Sequence, residues 1–293
     1  GPMTRVAVVK RVGGRAVALE TTLLIHGVPA GESMGLASRL CGVVRASGAE
    51  PAVVGVVRGV PTVGMTDAEL RTMLDAGDVP KANTANLGVL MHRGCHAATT
   101  VSATMELAAA AAVMWFATGG LGGVHRGYGE HLDVSSDLAA FTRFPVAVVT
   151  SGVKSILDVE STREALETLG VTVVGFRTDR FPAFYRRASA AGVDARFDDE
   201  RELAAFVRGE IARTGRGIVV ANPIPEVHEI DEADWDRWLG EAEQRAMEAG
   251  ATGRGVTPAV LGALHEVSGG ATLRANLALV ESNARLAGVL AAF

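Results

Sequence analysis

The sequence predicts an α/β protein in which helices cover both faces of a central sheet. Three observations carry this: short Val-rich apolar runs recur, Ala-rich segments with helical spacing alternate with them, and no repeat, low-complexity tract or linker breaks the alternation. The 293 residues are 48% hydrophobic but only 5% aromatic, so the core has to be built from Ala, Val and Leu. The chain 1–293 reads as a single domain, with Gly1-Pro2-Met3 a tag-cleavage scar.

Taken in order, 6–9 and 16–19 read as strands around a Gly13-Gly14 turn. A helix over 34–46 leads to a strand at 52–57, a turn at 58–61, and 62–64 pairing back. Thr66 and Glu69 have the spacing of a capping box, in which each side chain satisfies a free amide at the start of a helix. A helix at 101–112 runs into buried strand 113–117, and 144–149 is another strand. Ser161 and Glu164 suggest a second capping box, with that helix ending near Gly170. Strands at 171–175 and 217–221 flank a helix at 200–213. Helices follow at 231–249, from Thr257 with Pro258 at its first position, and at 275–291.

Composition excludes several function classes. The net charge is −5 and no Lys/Arg run occurs, which argues against a nucleic acid polymer as partner. No apolar run reaches the ~18–20 residues needed to span a membrane. Cys41 and Cys95 do not form a CxxC pair, so a reduced, cytoplasmic protein is expected.

In layered α/β folds, sites gather where strands end, here after residues 19, 117 and 149. Lysine is the sharpest signal. Only Lys10, Lys81 and Lys154 occur, and Arg supplies the other positive side chains. Lys154 follows an apolar strand, and an amine can deprotonate and form an imine where a guanidinium cannot. A surface lysine on a helix is the plainer alternative. Thr118-Gly-Gly-Leu-Gly-Gly-Val-His-Arg-Gly127 holds five glycines in ten residues, a loop whose backbone can approach an anionic ligand closely. Its spacing is neither GxGxxG nor a P-loop. Glu20 ends an apolar strand, where burial would suit a general acid or base. Asp137 either starts a helix or offers one carboxylate to a hard cation such as Mg²⁺ or Mn²⁺. Thr100 either caps a helix or joins a hydroxyl group set for phosphate, with Lys81 in a companion segment.

Several stretches together resemble the pseudouridine-5′-phosphate glycosidase family, also called indigoidine synthase A-like. They are Ala-Leu-Glu20-Thr-Thr, Ala-Thr-Thr100-Val-Ser-Ala-Thr-Met, Phe-Ala-Thr118-Gly-Gly-Leu-Gly-Gly-Val-His125-Arg-Gly, Asp-Val-Ser-Ser-Asp137-Leu, Gly-Val-Lys154-Ser-Ile-Leu-Asp, Thr-Asp-Arg-Phe-Pro182-Ala-Phe-Tyr and Val-Ala-Asn222-Pro-Ile-Pro. The resemblance runs from about residue 16 to 290. It implies a three-layer α/β/α sandwich on a mixed sheet and a homotrimer. It also implies a Schiff base between Lys154 and ring-opened ribose 5-phosphate, with Glu20 as acid/base. By the same resemblance Asp137 holds Mn²⁺, Lys81, Thr118, His125 and Asn276 surround the base, and Thr100 belongs to the pocket. No organic cofactor is implied.

The chain departs from the family pattern at two places. Lys81-Ala-Asn-Thr-Ala-Asn-Leu87-Gly carries no charge after its lysine, where the family has a Ser-Arg-Arg-Asp-Leu-Pro-like run. Ala30-Gly-Glu-Ser33 replaces the common Tyr-Pro-x-Asn. Sugar-phosphate machinery kept beside an altered aglycone side favours C-ribosylation of an aromatic polyketide in antibiotic biosynthesis. The alternatives are release of uracil from pseudouridine 5′-phosphate, and a non-catalytic sugar-phosphate binding protein.

Overall fold

The computed structural model describes residues 7–252 and 255–293. Residue 6 of the expected first strand and the expected tag scar lie outside them. The chain runs β1 (Val9–Lys10), β2 (Ala16–Glu20), α1 (Thr21–His26), α2 (Ser33–Ala46), β3 (Glu50–Val57), β4 (Val60–Val63), α3 (Asp67–Asp75), β5 (Lys81–Ala82), α4 (Leu87–His92), β6 (Ala97–Thr99) and α5 (Val101–Ala110). It continues through β7 (Trp115–Ala117), α6 (Ser136–Ala140), β8 (Ala147–Thr150), α7 (Val159–Thr168), β9 (Val173–Phe176), β10 (Ala195–Phe197), α8 (Glu200–Thr214) and β11 (Ile218–Ala221). It closes with α9 (Glu232–Glu248), α10 (Val256–Val267) and α11 (Ala271–Ala292).

All these strands join one mixed sheet, in the order β1-β4-β3-β2-β7-β8-β11-β9-β10, with β6 against β3 and β5 against β6. From β3 to β10 the neighbours are parallel, whereas β4 and β6 run antiparallel to β3. Strand side chains alternate between two cores. Val17 and Leu19 of β2, Val149 of β8 and Val220 of β11 pack on the α2, α8 and α11 side. Ala18, Val148 and Val219 pack on the α5, α6 and α7 side. This is the period of two expected of strands covered on both faces, and it yields the three-layer α/β/α sandwich.

The order in which strands are added reverses between β2 and β7. β2 crosses over to β3 on one side, and β7 crosses to β8 on the other. Open α/β sheets leave a crevice at such a point, beyond the carboxyl ends of the strands. β2 ends there on Glu20, and β7 leads there into Thr118.

Several boundaries differ from the sequence expectations, for local reasons. Helix α7 begins before the expected second capping box, because Asp158 accepts from the Ser161 amide at 2.9 Å and becomes the cap. Pro258 is the third residue of α10 and not the first, a position whose amide is still free of intrahelical bonding. Helix α11 starts at Ala271, one turn before the expected 275. β1 pairs with β4, so the Gly13-Gly14 turn does not join two paired strands. The capping box at Thr66 and Glu69 forms as expected.

The loop after β8 returns tightly on segment 182–186. Gly152 has φ +85, and a β-carbon there would run into the Pro182 carbonyl oxygen. Gly152→Ala should therefore lower stability by roughly 2 kcal/mol or more. Thermal denaturation checks this; an unchanged Tm would contradict the close approach.

Candidate active site

Glu20 is only 8% exposed and lies at the β2/β7 crevice. The Thr118 hydroxyl donates to its Oε1. Burial raises its carboxyl to about 7, against the opposing pull of the Thr118 hydrogen bond and the Lys154 charge, with smaller influences from Asp137 and Lys81. A glutamic acid that titrates near neutrality can both donate and accept a proton during turnover.

Thr118 is itself held from beneath. Its amide donates to the Val149 carbonyl at 3.0 Å, and its carbonyl accepts from Asn283 Nδ2 at 2.7 Å. Asn283, on α11, also donates to Ser151 Oγ at 3.1 Å and accepts from Asn222 Nδ2 at 2.9 Å. Ser151 Oγ donates to the Asn222 carbonyl at 2.9 Å. This buried polar cluster ties α11 to the segments that follow β7, β8 and β11.

Lys154 follows β8 in the turn 151–154, where its amide donates to the Leu121 carbonyl at 3.2 Å. It is half-buried in that turn and does not stand on a helix surface. Its charge acts on Glu20, Asp137 and Lys81, so these four residues form one electrostatic group. Burial and then the Lys154 charge hold the Lys81 amine below the usual lysine range, opposed by Glu20. Two of the three lysines thus stand near the Glu20 carboxyl.

Asp137, 6% exposed, holds the glycine loop. Its Oδ2 accepts from the Gly122 amide at 2.8 Å, and its Oδ1 accepts from the Ser102 amide at the start of α5 at 2.9 Å. Burial pushes its carboxyl up, while the Gly122 amide, the Lys154 charge and the Ser102 amide pull it down. Both oxygens are therefore engaged by backbone. No group of three His, Cys, Asp or Glu side chains that could hold a metal occurs among the described residues. A carboxylate oxygen that accepts one amide keeps a further lone pair, so Asp137 fits a cation site completed by waters while it also clamps the loop to α5.

Thr100 precedes α5 but does not cap it with its side chain. Its hydroxyl donates to the Ala82 carbonyl at 2.9 Å and lies 3.3 Å from Ser102 Oγ, which is 3.1 Å from Ser136 Oγ. Three hydroxyls and the amino-terminal turn of α5 thus face one another, next to β5 and Lys81. Asn276 sits two turns before Asn283 on α11, its Oδ1 3.3 Å from where a β-carbon of Gly119 would be. His125 follows the glycine loop. It lies 3.6 Å from Asp133 and lines a cavity of about 340 Å³ with Arg126, Ile156 and Val256.

Sequence reasoning named Glu20, Lys81, Thr100, Thr118, Asp137, Lys154 and Asn276, which the fold gathers around the glycine loop and the β2/β7 crevice. It grouped Ser102 with Thr100 as a phosphate-facing hydroxyl and passed over Asn283, Ser136 and Ser151. Asn283 left one readable trace: an amide in an Ala- and Leu-rich helix, seven residues after Asn276 and so on the same face.

A buried acid of near-neutral pKa and a lysine at the carboxyl ends of parallel strands supply the groups that acid/base chemistry needs. Residues 6–293 match the family described as indigoidine synthase A like protein, and the chain belongs to that family. A pseudouridine-5′-phosphate glycosidase of Methylobacterium nodulans is 45% identical over 280 residues, covering 95% of this chain and 83% of its own. One from Nocardioides sp. is 43% identical over 283 residues, covering 96% and 92%. An indigoidine synthase A-like protein of Thermotoga maritima superposes with TM-score 0.89 at 37% identity, over 100% of this chain and 98% of that one. The prealnumycin C-glycosynthase AlnA, solved with ribulose 5-phosphate, superposes with TM-score 0.88 at 34% identity, over 97% and 96%. The chain is an enzyme of the C-glycosidase type.

Two predictions come from this geometry. Between the ordinary glutamate value of about 4.3 and the value of about 7 for Glu20, the folded chain holds this proton more tightly than the unfolded chain. Stability therefore falls as pH rises through that window. Glu20→Gln should remove this slope, stabilise the fold near pH 8 by roughly 1–3 kcal/mol, and abolish turnover. Tm measured across that range checks it; an unchanged slope would place the proton elsewhere. Asp137→Asn sets an NH₂ group against one of two amide donors. It should lower stability by roughly 1–3 kcal/mol and cause an activity loss that added Mn²⁺ does not restore; recovery by Mn²⁺ would give the carboxylate to a cation.

Proposed function

We propose that this chain is a pseudouridine-5′-phosphate glycosidase, releasing uracil and ribose 5-phosphate through an imine on Lys154. The observation that carries the reading is the Glu20–Thr118 hydrogen bond at the β2/β7 crevice, within the electrostatic reach of Lys154. A C–C glycosidic bond resists hydrolysis because carbon leaves poorly. In the proposed sequence the Lys154 amine bonds to C1 of the sugar, and the C1–O bond of the ring breaks as that oxygen takes a proton from Glu20. The nitrogen returns a proton to the Glu20 carboxylate, and its lone pair then forms C1=N while the C–C bond breaks, the electron pair going to the ring carbon, which takes that proton from Glu20. Water hydrolyses the imine and frees the amine. Glu20, titrating near 7, is suited to these proton transfers. Asp137, with waters, would hold Mn²⁺, which would supply positive charge near the sugar phosphate, and no step is routed through it.

The hydroxyls of Thr100, Ser102 and Ser136 at the start of α5 suit the 5-phosphate. The curated relatives named as pseudouridine-5′-phosphate glycosidases are 45% and 43% identical, whereas AlnA is 34% identical. These names weigh toward uracil and away from the polyketide C-ribosylation favoured by the sequence. One observation keeps a second reading, synthesis with another aromatic ring. The uncharged 82–88 segment folds against the site through Thr84 N to Ser102 Oγ at 3.2 Å and Asn86 Nδ2 to the Lys81 carbonyl at 3.0 Å.

Mass spectrometry of two parallel reactions tests both. One holds pseudouridine 5′-phosphate; the other holds ribose 5-phosphate with an electron-rich hydroxynaphthoquinone. Uracil release in the first, lost in Lys154→Ala, is the expected result. A C-ribosyl aromatic product in the second, without uracil in the first, would make the chain a C-glycosynthase.

A further inference from the structure

Phe184 has φ +63, a left-handed backbone that bulky side chains rarely adopt. Such a conformation persists only where the surroundings fix it, and it gathers at functional sites. Here it is fixed from both sides of the lysine turn. The Phe184 amide donates to the Ser151 carbonyl at 2.9 Å. Ser155 Oγ donates to the Ala183 carbonyl at 2.7 Å and accepts from the Tyr185 amide at 3.3 Å. Gly152 and Ala183 form an isolated antiparallel bridge. Residues 183–185 are thus strapped to the segment that carries Lys154.

The result of this backbone is the position of the ring. Above Gly120, a β-carbon would meet Phe184 Cδ2 at 2.7 Å and Lys154 Cγ at 3.2 Å. Above Gly119, it would meet Phe184 Cε2 and Asn276 Oδ1, each at 3.3 Å. The ring edge and the lysine stem therefore share the groove that the two glycines leave open. Behind it, the Tyr185 ring lies 4.6 Å from that of Phe184, and Trp235 of α9 lies 5.5 Å from Tyr185. The Tyr185 carbonyl also accepts from the Ile230 amide at 3.0 Å. Phe184 is 6% exposed and is backed by a chain of rings that reaches the outer helices.

We propose that Phe184 is a positioning residue: its ring forms the wall that aims the Lys154 side chain along the Gly119-Gly120 groove toward the sugar carbon. The proposal rests on the imine chemistry proposed above. A flexible four-carbon stem has many rotamers, and a reacting amine must be held close to its attack geometry. Residues 119 and 120 lack side chains, so the wall on that side must come from elsewhere, and Phe184 supplies it. The left-handed turn brings the ring there.

Glycine tolerates the backbone at 184, so Phe184→Gly removes the ring without forcing the turn. Phe184→Leu keeps the same backbone demand and refills part of the groove. The measurement is the rate of borohydride-trapped ribose 5-phosphate adduct on the intact protein, with Tm, kcat and KM for each variant. Phe184→Gly should form the adduct about 10- to 100-fold more slowly, with kcat falling in step and KM within about twofold of the parent. Phe184→Leu should recover much of the loss. A parent-like adduct rate in Phe184→Gly would overturn the role of the ring while leaving the imine intact. A loss that follows Tm in both variants, with KM rising in proportion, would also overturn it, making Phe184 a packing residue only. No adduct on the parent protein would instead overturn the imine chemistry and this role with it.

Discussion

The site depends on one buried hydrogen-bond chain that crosses the point where the strand order of the sheet switches. Asn222 donates to Asn283, Asn283 donates to the Thr118 carbonyl, and the Thr118 hydroxyl donates to Glu20. Each group is enclosed, so each link satisfies a polar atom that would otherwise be left without a partner in the interior. The chain fixes the end of β7 against the end of β2. It also presents to Glu20 a donor that stabilises the carboxylate without cancelling the effect of burial. The near-neutral acid is thus a balance between enclosure and a single directed hydroxyl.

The glycine-rich loop becomes useful because other elements fill the space that its glycines leave. Asp137 and Ser135 close on Gly122, Thr162 on Gly123, and Phe184, Lys154 and Asn276 on Gly119 and Gly120. The loop is therefore a junction in which α6, α7, α11 and the lysine turn meet within a few residues. This explains why the Asp137 carboxylate receives backbone amides from two segments. A carboxylate between the Gly122 and Ser102 amides couples the loop to the start of α5, where the hydroxyl cluster lies.

Much of this was legible in the sequence because it followed from composition and period. Alternating Val-rich and Ala-rich runs gave the layers, since both faces of the parallel strands are covered. The scarcity of lysine singled out Lys154, as Arg carried the surface charge. Glu20 was readable because a carboxylate at the end of an apolar strand has little water around it. The short elements β5, β6, α1 and α4 were not readable: two to six residues hold no full period, and long-range pairing forms them. Nor was Asp158 as the cap of α7, because Ser161 offers the same local pattern. The left-handed turn at Phe184 has no sequence mark, since it arises from partners 29 to 33 residues away. The amide clamp of Asp137 was not readable, because a carboxylate that starts a helix looks the same whether it receives amides, a cation or both.

The hydrogen bond from Asn283 to Thr118 joins residues 165 positions apart. During synthesis the sheet crevice, the glycine loop and the lysine turn are all made well before α11. Until α11 docks, the Thr118 carbonyl and Ser151 hydroxyl lack their amide partner, and the strand ends that frame the crevice have nothing to bind them together from that side. Chemical competence is therefore acquired late and at once, when one helix settles. A nascent chain holding nearly every reactive group remains without an assembled site until its closing segment is in place.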